Sequence, residues 1–431
     1  MLHPNPSARD KRISERKTRA NILSMTRHKW WGVRLFDGIV RLLEHAVTPL
    51  SPQAETAGPP ASILVLEYWN LGDLAILVPF LRNLRRAFPS ARISLLINDG
   101  LESLFDGQGI VDEFIPVRVP WARHFHRWRK YNPFSQDWIS FAHTMRALRK
   151  RRFDWAFSGR MDVRDNFMLW LVGARRRIGY GIGGGGSFLT DNVVPDLCHP
   201  HRSDVWLNLL KTVGLLPDGT LRTFELTNVE LASARSYVAR LGIPPDAFLV
   251  GVHPGARVAT RRWGDERFAE VVRRLLEETD AHVLWFSAPG EGSQAPPWHC
   301  CHAVSLDLRH FVAALSLCRM LICNDSGPMH FANLVRVPVV AIFGPQRPEW
   351  FGPCGPRDRV VIRPEFSCRP CFDYCIFDEP YCLRTISTDE VYNVALDLFQ
   401  QLTHGPTQIN KDGDMEVLAT HQLQPTGGSL V

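Results

Sequence analysis

The chain has no long apolar run. No uninterrupted stretch reaches the ~18–20 residues that span a bilayer, so no transmembrane helix is expected. A secretory leader pattern is missing too: the apolar part of the N-terminus lies late, carries charges and lacks a small-residue cleavage site. That reading leads to a cytoplasmic protein with reduced thiols, although a chain already relieved of its leader would read the same. Excess charge is scarce outside one place. The whole chain carries +6, and residues 1–50 hold ten Lys/Arg against four Asp/Glu, which leaves the remainder balanced. A balanced body argues against nucleic acid as a partner and for a basic N-terminal arm.

What is present suits two domains. A chain of 431 residues with 45% hydrophobic and 22% charged residues is ordinary for a globular protein with sizeable cores. Residues 1–60 read as the basic arm and a linker. Within the arm, Arg34, Asp37, Arg41 and Glu44 recur at steps of three and four on one helical face, and apolar residues with Trp30 and Trp31 fill the rest of 29–50. Such a helix suits a membrane interface or a packed position on its own protein. From residue 61 to 225 the rhythm is that of a parallel sheet. "SILVLEYWNLGDLAILVPFLRNLRRAFPSARISLLIN" (62–98) is a strand, a Gly-Asp turn, a helix and a second strand, and 111–117, 153–159, 175–181 and 203–215 continue it. A second series fills 226–403: 248–256 and 281–291 each read as a strand then its loop, 320–327 and 337–345 as the last two strands with their loops, and helices are expected over 267–279 and 309–318. The tail 404–431 is expected to be disordered.

Ligands of doubly wound sheets bind beyond the carboxyl ends of the strands, so the loops there hold the candidates. In "HPGARVATRRW" (253–263), Gly255 admits a close backbone approach, and Arg257, Thr260, Arg261 and Arg262 bring cations and a hydroxyl suited to phosphate. In "NDSGPMH" (324–330), Ser326 and Gly327 open a helix whose free N–H groups favour an anion. Asp325 would cap that helix or hold a ribose hydroxyl, and His330 lies one turn on. "FGPQRPEW" (343–350) adds Gln346 and Arg347. Singly, each is an ordinary cap or turn; three on consecutive strands suggest a nucleotide diphosphate. In the first domain, Asp73 sits where strand turns to helix, either as an N-cap or as a base that accepts a proton from an attacking hydroxyl. Arg160 and Arg164, at the end of another first-domain strand, are candidates for an anionic acceptor. The cation-rich loop 121–131 would bind an anionic headgroup or simply be solvated.

Two motifs stand apart. Cys368, Cys371, Cys375 and Cys382 have a C-x2-C-x3-C-x6-C spacing that fits a zinc or cluster site or packed free thiols. "GYGIGGGG" (179–186) opens no helix and reads as a mobile loop, not a dinucleotide fingerprint.

Taken together, "NLGDLAILVPFL", "RRRIGYG", "GVHPGA…RRW…RFAEV", "NDSGPMHFANLVRVPVVAIFGP" and "CRPCFDYC" resemble glycosyltransferase family 9, the ADP-heptose:lipopolysaccharide heptosyltransferases, over about residues 62–390. The resemblance implies an α/β protein of GT-B fold, two Rossmann-like doubly wound domains facing a central cleft. The acceptor would bind in 61–225 and the nucleotide-sugar donor in 226–403. Transfer would invert the anomeric centre without a metal or other cofactor. It further implies that Asp73 is the catalytic base and that Thr260, Arg261, Asp325, Ser326, Gly327 and His330 grip the donor, with Gly255 and Arg262 added from the loop chemistry. Arg261 stands where the family usually has lysine, and Ser326 where threonine is common. The expected activity is transfer of heptose from ADP-heptose to a lipopolysaccharide core or related glycan, at the inner face of the cytoplasmic membrane. A different nucleotide sugar, or a catalytically silent membrane-associated binding module, is the alternative.

Overall fold

The computed structural model describes residues 58–123, 132–196, 198, 200–288, 294–371 and 373–403. The helix read over 29–50, the tail 404–431 and most of the 121–131 loop lie outside the described residues. The described chain divides into two compact units, one ending at Glu225 and the other beginning at Leu226.

The first unit is built on a six-stranded sheet of β1 (Ser62–Leu66), β2 (Arg92–Asn98), β3 (Glu113–Val117), β4 (Trp155–Phe157), β5 (Arg176–Gly179) and β6 (Asp191–Asn192), in the order β3-β2-β1-β4-β5-β6. Every neighbouring pair is parallel. Parallel sheets are covered on both faces, so their strands read as continuous apolar runs, and β1 is one. Alternation along the strand sends Leu64 and Leu66, with Ala156 of β4, into a core shared with Phe141, Met145, Met168 and Leu169 of helices Gln136–Arg151 and Val163–Val172. On the opposite face, Phe157 meets Phe80 of helix Leu71–Ala87 edge-on at 5.3 Å, and Phe80 lies 5.0 Å from Trp206 of helix Arg202–Lys211. Burying each such ring or leucine is worth about 1.5–3 kcal/mol, which fixes the helices to the sheet.

The second unit repeats the plan with β7 (Leu249–His253), β8 (His282–Phe286), β9 (Cys301–Val304), β10 (Met320–Asn324), β11 (Val339–Phe343) and β12 (Arg359–Ile362), in the order β12-β11-β10-β7-β8-β9. One face packs Val250, Val252, Ile322, Val340 and Ile342 on Phe268, Val271 and Leu275 of helix Asp265–Glu278 and on Leu398 and Phe399 of helix Thr388–Thr403. In the register Cys323 lies beside both His253 and Ala341, so the loops after β7, β10 and β11 leave the sheet at one level.

Two expectations need correction. The run 337–345 is not the last strand, because β12 follows it, and β9 was not foreseen. Both are four-residue edge strands, too short for periodicity to mark. The segment read over 203–215 supplies most of helix Arg202–Lys211. The glycine run forms two 3-10 turns, 181–183 and 186–188. It is pinned by the Asn166 side-chain amide, which donates to the carbonyls of Tyr180 at 2.9 Å and Gly184 at 2.7 Å. A Cβ on Gly183 would fall 1.9 Å from the Met161 carbonyl oxygen, so close packing, not mobility, is what that glycine serves.

Candidate active site

Each sheet has one place where neighbouring strands send their connections to opposite sides, and such switch points are where doubly wound folds bind ligands. In the first unit it lies between β1 and β4, in the second between β7 and β10. Asp73 and Arg160 flank the first; Arg261 and Asp325 flank the second.

At the first, β1 ends in Glu67, which is only 2% exposed, and Asn70 caps helix Leu71–Ala87. Asp73 is therefore in the first turn and is not the N-cap. Its Oδ2 accepts the Asn70 backbone N–H and side-chain amide, both at 3.2 Å. Its Oδ1 receives Nη2 of Arg160 at 2.8 Å. The same Arg160 nitrogen reaches Glu67 Oε1 at 3.2 Å, and the guanidinium lies 4.6 Å from the Trp69 ring centre. Behind them Asp165 accepts the Tyr68 hydroxyl at 2.6 Å and the Ser158 hydroxyl at 3.2 Å. Burial, with Asp73 and Asp165 adding like charge, pushes Glu67 up to about 7 against the pull of Arg160. Burial likewise raises Asp165 to about 6, and Asp162 adds to the rise. Burial opposes the charge on Arg160, yet Glu67 and Asp73 more than offset it, and the guanidinium is held charged. Arg202 is held down to about 10 by burial and by Arg160, while Asp73 and Glu67 draw it the other way.

Arg164 is turned to Asp162, its Nε donating to Oδ1 at 2.9 Å. It lies about as far from the Trp69 ring centre, 5.9 Å, as from that of Trp121, 6.0 Å. Arg160 and Arg164 thus sit on one edge with Asp73, but Arg160 is held by carboxylates in this structure.

At the second switch point Asn324, fully buried, ties two loops together. Its amide donates to the Pro254 carbonyl at 2.6 Å and its Oδ1 accepts the Trp263 N–H at 3.1 Å. Gly255, next to Pro254 in the chain, is buried. The latch brings Arg261 to Asp325, Nη1 to Oδ2, at 3.3 Å. Asp325 does not cap the following helix, Gly327–Leu334, whose N-cap is Ser326. Burial lifts Asp325 to about 6, opposed by Arg261 and reinforced by Asp373. His330 is half-buried in the first turn of the same helix. Arg261 also makes a two-pronged pair with Asp373, Nε to Oδ1 and Nη2 to Oδ2, both 2.7 Å. Thr260 and Gln346 each approach that carboxylate at 3.5 Å. Arg262 turns aside, Nε donating to the Ala256 carbonyl at 2.7 Å, and Arg347 lies over Trp350, 5.4 Å from its ring centre. Buried polar atoms without a hydrogen-bond partner occur at both edges: Arg160 Nε and Gln346 Oε1.

Cys368, Cys371, Cys375 and Cys382 line one cavity together with Thr260 and Pro345, and none of them forms a disulfide. Among the described residues no group of three or more His, Cys, Asp or Glu side chains is arranged to hold a metal ion.

Glu67, Asp165, Arg202 and Asp373 were not foreseen. Glu67 carried a signal, a lone carboxylate ending the apolar run "ILVL", and buried charge inside such a run is costly unless paired. Asp373 carried none, because 112 residues separate it from Arg261.

A family model described as glycosyltransferase family 9 (heptosyltransferase) matches residues 141–381. Lipopolysaccharide heptosyltransferase 2 of Escherichia coli (strain K12) is 22% identical over 324 residues, 69% of this chain and 87% of that protein. Among solved structures, a glycosyl transferase family 9 protein from Veillonella parvula DSM 2008 superimposes with a TM-score of 0.60 at 22% identity, covering 80% of this chain and 98% of that one. E. coli ADP-heptose lps heptosyltransferase II gives a TM-score of 0.59 at 19% identity, with 79% and 99% covered. Two sheets of one topology, each with a charged constellation at its switch point, and a family match over more than half the chain lead to one conclusion: the chain belongs to glycosyltransferase family 9 (heptosyltransferase) and is a glycosyltransferase of GT-B fold.

Proposed function

We propose that the enzyme transfers heptose from ADP-heptose to a lipopolysaccharide core or related glycan, with inversion and without a metal. The unit up to Glu225 would hold the acceptor and the unit from Leu226 the donor. The observation that carries this is the Arg261 fork at the β7/β10 switch point, with Thr260 and Gln346 aimed at the same acceptor atoms. Two parallel N–H donors match a phosphate edge, and the N–H groups opening helix Gly327–Leu334 favour the same charge. Together with His330, and with Gly255 allowing backbone approach, they would carry the negative charge that grows on the leaving nucleotide. That is the task a metal performs in other transferases. Arg262, turned onto the Ala256 carbonyl, would join only after a rotamer change. The E. coli relative's name specifies ADP-heptose and lipopolysaccharide, which supports that donor and acceptor here.

In the first unit Asp73 would take the proton of the attacking hydroxyl as the alcohol approaches the anomeric carbon opposite the nucleotide. Arg160 and Arg164 would meet anionic groups of the acceptor. An anion that draws Arg160 away would release Asp73 Oδ1 for the proton. The test is Asp73→Asn in a transfer assay run with a chelator and a panel of nucleotide sugars. A general base contributes about 10²–10⁴-fold, so kcat should fall at least about 10²-fold while ADP affinity stays within about twofold. Unchanged turnover removes Asp73 as the base. Loss of wild-type activity under chelation removes the metal-free scheme. Turnover of another nucleotide sugar in preference to ADP-heptose changes the donor.

Among the described residues no helix is long and apolar enough to cross a membrane. We place the enzyme as a peripheral protein at the inner face of the cytoplasmic membrane, held by residues 29–50.

A further inference from the structure

The donors assigned to the nucleotide converge on an acceptor that belongs to the chain itself. Arg261 gives both prongs of its fork to Asp373 at 2.7 Å. Thr260 Oγ1 stands 3.5 Å from Oδ1, and Gln346 Nε2 3.5 Å from Oδ2. One carboxylate thus gathers four donors from the loops that follow β7 and β11. Asp373 has φ = 67°, left-handed backbone that residues with a Cβ adopt infrequently.

A carboxylate offers a guanidinium the same pair of oxygens that a phosphate edge offers. We propose that Asp373 is an internal competitor of the donor: its carboxylate occupies the anion subsite formed by Thr260, Arg261 and Gln346, and a nucleoside diphosphate enters by displacing it. This rests on the donor site argued above and adds who holds the site before the donor arrives. Arg261 has a second carboxylate partner that would remain: Asp325 pairs with Nη1 at 3.3 Å and is 2% exposed, just after β10. The two anions do not share the fork: a phosphate oxygen and a carboxylate oxygen on the same two N–H groups would be in contact, where like charges repel strongly.

Displacement has a measurable cost. If the occupied state outweighs the open one by about ten to one, the apparent Kd for nucleotide is raised about tenfold. The experiment is calorimetric titration of the full chain with ADP, comparing wild type with Asp373→Asn, Asp373→Ala, Asp378→Asn and Arg261→Ala. Thermal melting checks the fold of each, and Asp373→Ser is the substitute should the amide fail to fold. Loss of the competitor should tighten ADP about tenfold. Asp378, an exposed carboxylate of the same loop, controls for removing a charge, and its variant should stay within about twofold of wild type. Weaker or unchanged binding in the Asp373 variants overturns the proposal and makes Asp373 a support for Arg261. Equal tightening by Asp378→Asn overturns it as a general charge effect. Arg261→Ala separates the two levels: loss of binding there with no gain at Asp373 sinks the competitor alone, whereas unchanged binding there sinks the donor site as well.

Discussion

Glu67 is the residue on which the charge balance of the first unit turns. Its carboxylate is buried at the end of β1 beside Asp73 and Asp165, with Arg160 between Glu67 and Asp73. In the folded chain it keeps its proton up to about 7 rather than 4.5, mainly through burial. Between those values the folded state binds more protons than the unfolded one, so this group's contribution to stability falls as pH rises through the window. Glu67→Gln stays neutral throughout. In urea titrations at pH 5 and pH 8, the variant should gain on wild type by on the order of 1–3 kcal/mol as pH rises. A difference that does not change with pH would mean that Glu67 is ionised across the whole range. The sequence held a trace of this, an acid inside an apolar run, but its partners Arg160 and Asp165 lie about a hundred residues on. No local spacing announces them.

At the scale of elements, what matters is which strands neighbour each other. The loops after β7 and β10 are 70 residues apart at the Asn324–Pro254 bond, yet Asn324 joins them with two hydrogen bonds. Removing a buried partner leaves the other side unsatisfied at about 1–3 kcal/mol per group. Asn324→Ala strands both the Trp263 N–H and the Pro254 carbonyl, so it should cost about 2–4 kcal/mol in denaturant unfolding and weaken ADP binding in the same preparation. An unfolding midpoint equal to wild type would show that the loops hold their places without the latch. The strands themselves were plain in the sequence wherever they were long and buried, as in "MLICN" and "VVAIF". The short edge strands β9 and β12 were not, since four residues carry too little pattern to separate strand from loop.

Over the whole molecule, charge is distributed unevenly. The chain has +6, and residues 1–50 alone contribute ten Lys/Arg and four Asp/Glu. Basic residues next to an amphipathic stretch gain about 1 kcal/mol each near an anionic membrane surface. Deleting residues 1–50 should therefore abolish co-sedimentation with vesicles rich in anionic lipid, while ADP affinity and melting temperature stay as in wild type. Retained sedimentation would overturn the proposal that residues 29–50 hold the chain to a membrane.

The sequence by itself determined the sheet class, the two successive series of strands and helices, and the residue types at each strand end. Those follow from local rules: apolar runs make buried strands, and Gly, Asp and Ser mark where they turn into helices. Only the tertiary structure decided which strand ends are neighbours. With it came the pairing of Asp73 with Arg160, of Arg261 with Asp325, and of the Arg261 fork with Asp373. Such pairs depend on topology and through-space distance, which a linear chain of side chains does not encode in its spacing.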